Sequence, residues 1–303
     1  MISILVISFG NKSIESITIN ALISQLDNHK DISLYIYNNG PEKFGLIDNG
    51  FSDKIKSKFK CLNIYENVNN NSLSHIYNDF LSNVDDDYYM LLDDDTKLPV
   101  DYLNSLKLKI NNSPDSDLFF PIILSEHNNF SYYPIINSIP YGNLQEKINN
   151  LDSTYDVTTV GSGLVLNKNI LLKISKSRLD PFDERFALYG VDFSLFRNIK
   201  LCKESEFKYS ILREIYHDMS GVERKISRFR FIERELDNII SARNYSKNIF
   251  KAAIKFFVFL FKYSILIDFK MLKNVFFVFQ HGMHPRCFSR EKNLFSIKFK
   301  VKD

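Results

Sequence analysis

Short apolar runs rich in β-branched residues alternate with segments of helical periodicity over the first 120 residues, and this alternation constrains the fold most strongly. The runs predicted as strands are residues 2–9, 32–37, 61–65 and 88–92. Helices are expected to begin at Ser13 and at Ser72, because serine is a good N-cap residue, and the first should end near Leu26. Alternation of this kind is typical of a mostly parallel sheet with helices on both faces, so we predict an α/β fold.

A polar turn follows each of the predicted strands. The four turns are Gly10-Asn11, Asn38-Asn39-Gly40-Pro41, the Asn-rich loop ENVNNNS and Asp93-Asp94-Asp95. Because the strands of a parallel sheet share one direction, we expect the four turns along one edge of the sheet. Ligands of open α/β sheets bind at that edge.

The acidic turn is the candidate for metal chemistry. Its three adjacent carboxylates repel one another unless they are solvated, hydrogen-bonded or neutralised by a metal ion. On an extended backbone Asp93 and Asp95 point the same way, so both can bind one Mg²⁺ or Mn²⁺ ion that bridges to phosphates. A polar loop that closes the strand is the alternative. The similar run Asp85-Asp86-Asp87 precedes the strand, and we predict a solvated turn there, at the opposite edge.

Two later segments carry further candidate residues. Residues 156–166 are predicted as a strand that Gly161-Ser162-Gly163 interrupts. The segment PFDERFALYGVDFSLFRNIK is predicted as a loop leading into a helix, for which Asp192 is a good N-cap on the bare sequence. His217 follows the strand-like SILREIYH, and from a polar loop its imidazole can complete a metal site with Asp95. A structural or surface role is the alternative for a lone histidine.

Charge divides the chain into two parts. Residues 220–303 contain 18 Lys and Arg against 7 Asp and Glu, whereas the first 219 residues contain 21 against 29. Residues 251–283 repeat Phe, Ile and Leu with Lys every few positions. Such a segment is too charged to span a bilayer but can lie on an anionic membrane surface, which we favour. The alternative is a pair of amphipathic helices packed on the preceding domain or on a second subunit of a homodimer.

Other features bear on partners and location. Nucleic acid is not expected as a partner, because no recognisable nucleic-acid-binding motif accompanies the basic segment. Cys61, Cys202 and Cys287 lie far apart, which favours free thiols in a reducing compartment. The opening MISILVISFG lacks the marks of a signal peptide, and no run of eighteen uncharged apolar residues predicts a spanning helix. We predict a cytoplasmic protein, peripheral on the inner face of the plasma membrane.

Six segments, in order, are similar to the motifs of one enzyme family. They are ISILVISFGN, YNNG, the N-x-S-x-S-x-I-x-N spacing of residues 70–78, LLDDDTKLP, GSGLVLNKNIL and FDERFALYGVDFSLFRNIK. Together they cover about residues 1–220 and resemble the family 2 glycosyltransferases of GT-A fold. The FDERF block and the later histidine look most similar to the rhamnosyl- and galactofuranosyltransferases of bacterial surface polysaccharides.

The resemblance implies a fold, a domain division and an activity. The implied fold is GT-A, a Rossmann-like, mostly parallel sheet flanked by helices, here followed by a basic amphipathic helical extension. Residues 1–220 would form the catalytic domain, with a nucleotide-sugar-binding half (1–120) and an acceptor-binding half (121–220), and residues 221–303 a Phe-rich helical extension. The implied activity is inverting, metal-dependent transfer of a hexosyl or deoxyhexosyl group. The donor would be a nucleoside-diphosphate sugar, and the acceptor a lipid-linked glycan or an oligosaccharide.

The resemblance also implies roles for individual residues. Asp192 would be the catalytic base, and Asp95 with His217 would bind Mn²⁺ or Mg²⁺. Asp218 is an alternative partner of His217, whose imidazole it would orient. The implied nucleotide-sugar contacts are Phe9, Asn38, Asn70, Asp93, Asp94 and Gly163. Two positions depart from the family pattern. Asn38 stands where an Asp usually binds the base, and Val191 replaces the Glu that usually precedes Asp192.

Two other functions are weighed against this one. The departures at Asn38 and Val191 allow a non-catalytic, membrane-associated scaffold that keeps the fold. A sugar nucleotidyltransferase would need a Gly-rich, basic loop after the first strand to hold a triphosphate. Residues 10–13 offer one glycine and one lysine, which disfavours that activity.

Overall fold

The computed structural model describes residues 1–10, 13–45, 47, 49–126, 128–145, 148, 151–202, 206–217, 227–246, 248–289 and 294–295. Asn11 and Lys12 of the first polar turn lie outside the described residues, and so does Asp218. The predicted α/β class is confirmed, because a mostly parallel sheet is covered by helices on both faces.

The strands of the described residues form one large sheet and one small one. They are β1 (Ile2–Ser8), β2 (His29–Asn38), β3 (Phe59–Glu66), β4 (Tyr88–Asp93), β5 (Leu118–Leu124), β6 (Ser131–Tyr133), β7 (Ile135–Ile136), β8 (Ile139–Pro140), β9 (Leu151–Asp152), β10 (Val157–Thr158), β11 (Val165–Asn167) and β12 (Lys208–Tyr216). The order in the large sheet is β3-β2-β1-β4-β11-β5-β12-β9, with β6 paired to β5. Strands β1 to β5 and β12 run in one direction, and β6, β9 and β11 run in the opposite direction.

Helices connect and follow these strands. They are α1 (Ile17–Ile23), α2 (Asn49–Lys58), α3 (Leu73–Asn83), α4 (Tyr102–Asn112), α5 (Lys168–Ser175), α6 (Val191–Leu201), α7 (Arg228–Asn244), α8 (Ile249–Ile265) and α9 (Phe269–His281). The prediction for α3 is confirmed, since the Ser72 side chain accepts a hydrogen bond from the backbone of His75. Helix α1 begins later than predicted, because Ser16 rather than Ser13 accepts the capping hydrogen bond from Ile19.

Alternating side chains place the large sheet between two helical layers. On β1, Ile4 and Val6 pack in a core with α1, α2 and α4. Leu5 and Ile7 face the other side and pack in a core with α3, α5 and α6, which α7 and α9 extend. The sheet is therefore the middle of three layers.

Two local predictions differ from the structure. Residues 156–166 form β10 and β11 in different sheets, because the turn at residues 161–163 redirects the chain between them. The acidic run at residues 85–87 lies at the opposite edge from Asp93, as predicted, but it is more than a solvated turn. Asp86 is buried and accepts a hydrogen bond from the Ser3 hydroxyl.

The C-terminal helices distribute their apolar residues in two ways. Helices α7 and α9 bury residues such as Ile239 and Val275 against the domain, which agrees with the packing alternative. Helix α8 instead carries an outward apolar stripe, and every member of this stripe is more than half exposed: Phe250, Ile254, Phe257, Val258, Phe261 and Ile265. None of the helices described here combines the length and apolar character needed to cross a bilayer.

The end of the described chain returns to the domain. Phe295 is buried among Tyr37, Tyr65 and Phe80, with ring centroids 5.4, 4.8 and 5.6 Å away. The backbone amide of Leu294 donates a 2.6 Å hydrogen bond to Asp79. These contacts join the extension and the domain in one hydrophobic core.

Candidate active site

Residues of the second, third and fourth predicted polar turns line one cavity of about 720 Å³, together with Phe9, which precedes the first turn. Asp93-Asp94-Asp95 ends β4, and His217 follows β12. The turn at residues 161–163 precedes β11, which lies between β4 and β5 in the sheet. Because β11 runs antiparallel to its neighbours, it begins at the edge where β4, β5 and β12 end.

Asp93, Asp95 and His217 line this cavity as one cluster. Nδ1 of His217 lies 3.1 Å from Oδ1 of Asp95, and Nε2 lies 3.7 Å from Oδ2 of Asp93. The hydroxyl groups of Ser162 and Thr96 form hydrogen bonds next to the cluster. The Asp93 amide donates to Ser162 Oγ at 3.1 Å, and Thr96 Oγ1 lies 2.5 Å from Ser162 Oγ and 3.3 Å from His217 Nδ1.

The charges of the cluster shift its protonation equilibria. Burial raises the pKa of Asp93, and the like charges of Asp95 and Asp192 add to this effect while His217 opposes it. Burial disfavours the charged form of His217, yet the hydrogen bond to Asp95 and the neighbouring carboxylates raise its pKa above the usual value. The carboxylates therefore stabilise positive charge at this point of the cavity.

This donor set fits a divalent cation. One ligand atom from each of Asp93, Asp95 and His217 lies within 4.8 Å of the others. Carboxylate oxygens suit Mg²⁺ and Mn²⁺, and a nitrogen ligand beside two carboxylates favours Mn²⁺ of the two, because Mg²⁺ is the harder ion. A cation here would take the place of the imidazolium charge that the carboxylates otherwise attract.

Asp192 faces the same cavity from the first turn of α6. The N-cap of that helix is Gly190, with a φ of 79°, so the N-cap alternative for Asp192 is wrong. The Asp192 carboxylate instead accepts a hydrogen bond from the backbone of Gly161, where an added Cβ would lie 2.5 Å from Asp192 Oδ1. Burial raises the pKa of Asp192 to about 6, although that hydrogen bond and His217 act against the rise.

Three predicted donor contacts line the cavity beside this cluster. They are Phe9, Asn70 and Asp94. The Phe9 amide donates a 3.1 Å hydrogen bond to Asp94 Oδ2, which ties the acidic turn to the end of β1. Asn70 has a φ of 51°, and its side-chain oxygen accepts a 2.7 Å hydrogen bond from Arg286, beyond α9.

Asn38 and Gly163 do not line the cavity in the structure. Asn38 is fully buried, where it donates to Glu42 and Glu66 and accepts from the Gly40 amide. Gly163 has a φ of 84°, and an added Cβ would lie 2.5 Å from a carbon of Pro121. Both residues shape turns behind the site, and a contact between either one and the donor stays a prediction.

Several cavity residues have no counterpart among the sequence predictions. Arg230, Arg234 and Asp237 come from α7, and Arg286 follows α9. The only local signal for the first two is their spacing of four residues, which places them on one face of a helix. The motifs end before residue 220, so nothing in them connects this helix with the acidic turn.

The fold is similar to that of solved structures of S. aureus TarS. A structure of residues 1–349 with UDP has a TM-score of 0.53 and 13% identity, covering 80% of this chain and 65% of that one. The corresponding structure with UDP-GlcNAc has a TM-score of 0.54 and 12% identity, covering 94% and 82%. A longer TarS structure has a TM-score of 0.55 and 13% identity, covering 94% and 50%. The chain thus spans about two thirds or less of two of these structures.

No protein-family model matches the sequence, and no curated protein matches it either. At such identities the similarity concerns the fold, which is the GT-A arrangement with helices following the domain.

Proposed function

We propose that this chain is an inverting, metal-dependent glycosyltransferase that uses a nucleoside-diphosphate sugar. The observation that carries the proposal is the meeting of Asp93, Asp95, His217 and Asp192 in one cavity at the carboxyl ends of the strands. Structures that share the fold contain UDP and UDP-GlcNAc, which supports a uridine-diphosphate sugar as donor.

In this proposal Asp95 and His217, together with Asp93, hold a Mn²⁺ or Mg²⁺ ion. When bound, such an ion stabilises the negative charge that develops on a departing diphosphate. Phe9 and Asn70 contact the donor, and Asp94 fixes the backbone beside Phe9 through its hydrogen bond. Asn38 and Gly163 contribute by holding the turns behind the site.

Asp192 is the proposed catalytic base. It would take the proton from an acceptor hydroxyl while that oxygen attacks the anomeric carbon from the face opposite the diphosphate, which inverts the centre. A pKa of about 6 suits this task, because the carboxylate is ionised at neutral pH and is a stronger base than an ordinary Asp. Its hydrogen bond from Gly161 fixes its position.

The substrate classes follow from the sequence motifs. The FDERF block supports a rhamnosyl or galactofuranosyl donor and a lipid-linked or oligosaccharide acceptor in bacterial surface polysaccharide synthesis. In the scaffold alternative, the departure at Val191 is a lost catalytic group. Val191 is fully buried and does not line the cavity, whereas the neighbouring Asp192 carboxylate does.

Turnover of sugar nucleotides tests the proposal. The purified protein is incubated with UDP-, dTDP- and GDP-sugars, with Mn²⁺ or with EDTA, and release of the nucleoside diphosphate is measured. We expect release from at least one donor with Mn²⁺, stimulated by acceptor and abolished by EDTA. Absence of metal-dependent release from all three donor classes would favour the scaffold.

The outward stripe of α8 supports a place on the inner face of the plasma membrane. At 100° per residue, Phe250, Phe257 and Phe261 fall on one side of the helix. Lys251 and Lys255 lie along one flank of that side and are exposed. Buried aromatics and flanking cations are the combination that binds an anionic bilayer, where each Lys contributes about 1 kcal/mol.

Vesicle sedimentation tests the membrane contact. We expect binding to vesicles that contain phosphatidylglycerol, weakening as salt rises, and loss of binding in the double variant Phe257→Glu/Phe261→Glu. Leu108→Glu is the matched control, because Leu108 is 62% exposed on α4 of the domain. Undiminished binding by the double variant would contradict the proposal. A wild-type dimer that ignores vesicles and that the double variant dissociates would show that this face binds a second subunit.

A further inference from the structure

Two arginines from α7 line the cavity together with the aspartates of the acidic turn, Asp192 and several aromatic side chains. Arg230 and Arg234 lie one helical turn apart, so both guanidinium groups are presented by one face of the helix. Within the described part of the chain, neither guanidinium lies within 4.0 Å of a carboxylate oxygen, and neither donates a hydrogen bond. Arg286, the third arginine of the cavity, is by contrast engaged with Asn70 and Glu233.

The residues near the two arginines show which part of the cavity each one lines. Arg230 lines the same cavity as Asp95 and the other residues of the candidate metal site. Arg234 stacks over the ring of Tyr189, with 5.2 Å between the guanidinium carbon and the ring centroid. An arginine that lies over an aromatic ring can keep the N–H groups of its planar guanidinium available to a ligand. The pair therefore lies in the cavity that contains the acidic turn, and the Tyr189 ring lies against its second member.

Arg230 and Arg234 are part-buried, and among the described residues no carboxylate pairs with either of them. Each guanidinium offers five N–H donors in a planar fork, which matches the oxygen atoms of a phosphate group. The nearby carboxylates repel anions, so a bound phosphate needs local positive charge from these side chains. Two such forks on one helix face provide it.

We propose that Arg230 and Arg234 form a binding site for a phosphate or diphosphate group of a substrate. The inference deepens the proposed function and rests on it for the identity of the substrates. The bound group could be the diphosphate of the sugar donor or a phosphate on the acceptor. The geometry makes the extension part of the substrate site, because both residues belong to α7.

Calorimetry on the full chain separates the two sources. The double variant Arg230→Gln/Arg234→Gln is compared with wild type for binding of UDP in the presence of Mn²⁺, and then for binding of inorganic phosphate by protein saturated with UDP and Mn²⁺. Arg178→Gln is the matched control, because Arg178 is exposed and does not line the cavity. Circular dichroism melting confirms that each variant is folded, and the single variant Arg230→Gln replaces the double variant if it is not.

At least tenfold weaker UDP binding by the variant would assign the site to the donor diphosphate. Unchanged UDP binding with loss of phosphate binding to the UDP-saturated protein would assign it to an acceptor phosphate. Equal affinities of variant, control and wild type in both measurements would overturn the site. A third measurement uses inorganic pyrophosphate without metal. If the variant lost pyrophosphate binding, the arginine site would stand even if no sugar nucleotide were turned over.

Discussion

The domain and the C-terminal extension contain similar apolar residues but differ in how these residues are buried. In the domain, strands such as β1 alternate their side chains between two cores, so that burial follows directly from the period of the sequence. In the extension, α8 and α9 are both amphipathic and Phe-rich, yet α9 turns Val275 inward while α8 exposes Phe250 and Phe261. Amphipathicity fixes which face of a helix is apolar, and tertiary packing decides whether that face is covered.

The domain and the extension also depend on each other structurally. The extension contributes Arg230, Arg234 and Arg286 to the cavity, and Phe295 completes the core beneath α3. Charge and motifs alone suggest that residues after 250 could be removed without harm to the catalytic domain. The contacts of Arg286 and Phe295 predict a different result, because their loss would disturb both the donor side of the cavity and the core.

The largest effect is expected from Asp192 in the domain. Asp192→Asn keeps an oxygen that can accept the hydrogen bond from Gly161, but it removes the proton acceptor. We expect transfer to slow by about 10²- to 10⁴-fold while donor affinity is kept. Steady-state transfer rates and calorimetric donor binding measure the two effects. A near wild-type transfer rate would move Asp192 to a structural role.

The pH dependence of the transfer rate is a second test of Asp192 as the catalytic base. A base must be ionised to act, and burial has raised the pKa of Asp192 to about 6. We therefore expect the transfer rate to fall as pH is lowered through about 6, rather than near 4 as for an exposed Asp. A rate that stays constant down to pH 5 would argue against this base.

The next effect concerns the core that the two parts share. Phe295→Ala leaves a cavity among Tyr37, Tyr65 and Phe80, and we expect the free energy of unfolding to fall by about 3 kcal/mol. Phe250→Ala is the matched control, because Phe250 is 77% exposed and its loss should cost less than about 0.5 kcal/mol. Denaturant unfolding measures both variants. Equal stability of the two would mean that the extension is not part of the core.

A smaller effect is expected where the extension meets the donor loop. Arg286→Lys cannot reproduce the contacts of the guanidinium with both Asn70 and Glu233. Losing charge-assisted hydrogen bonds of this kind should weaken UDP binding by about tenfold. Arg228→Lys is the control, because Arg228 pairs with Asp268 on the surface of the extension, away from the cavity. We expect a raised KM for the donor in Arg286→Lys with little change in kcat.

The sequence predicts the elements of the site that follow from strand direction. Asp93, Asp95 and His217 come together because β4 and β12 end at the same edge. The alternation over the first 120 residues predicts the acidic turn at this edge, and the position of His217 after a strand-like segment predicts that it can join Asp95. Strand direction alone does not predict whether Asn38 or Asn39 faces the cavity. Adjacent residues at a strand end point to opposite faces, so a shift of one position puts Asn39 in the cavity and Asn38 in the core.

The contributions of α7 could not be predicted in this way. Arg230 and Arg234 are separated from the acidic turn by more than 130 residues, and their role depends on the packing direction of a helix that follows the last motif. No local period encodes that direction. The resemblance to glycosyltransferases was necessary to single out Asp192, whose sequence context alone favours an N-cap.

Metal-dependent nucleotide binding is the most direct test of the account. Calorimetry compares UDP binding with and without Mn²⁺ for wild type, Asp95→Asn and Asp85→Asn, the last being the same change in the acidic run at the opposite edge of the sheet. We expect Mn²⁺-dependent UDP binding that Asp95→Asn abolishes and that Asp85→Asn leaves unchanged. UDP affinity that is the same with and without Mn²⁺, or that is unaffected by Asp95→Asn, would contradict it.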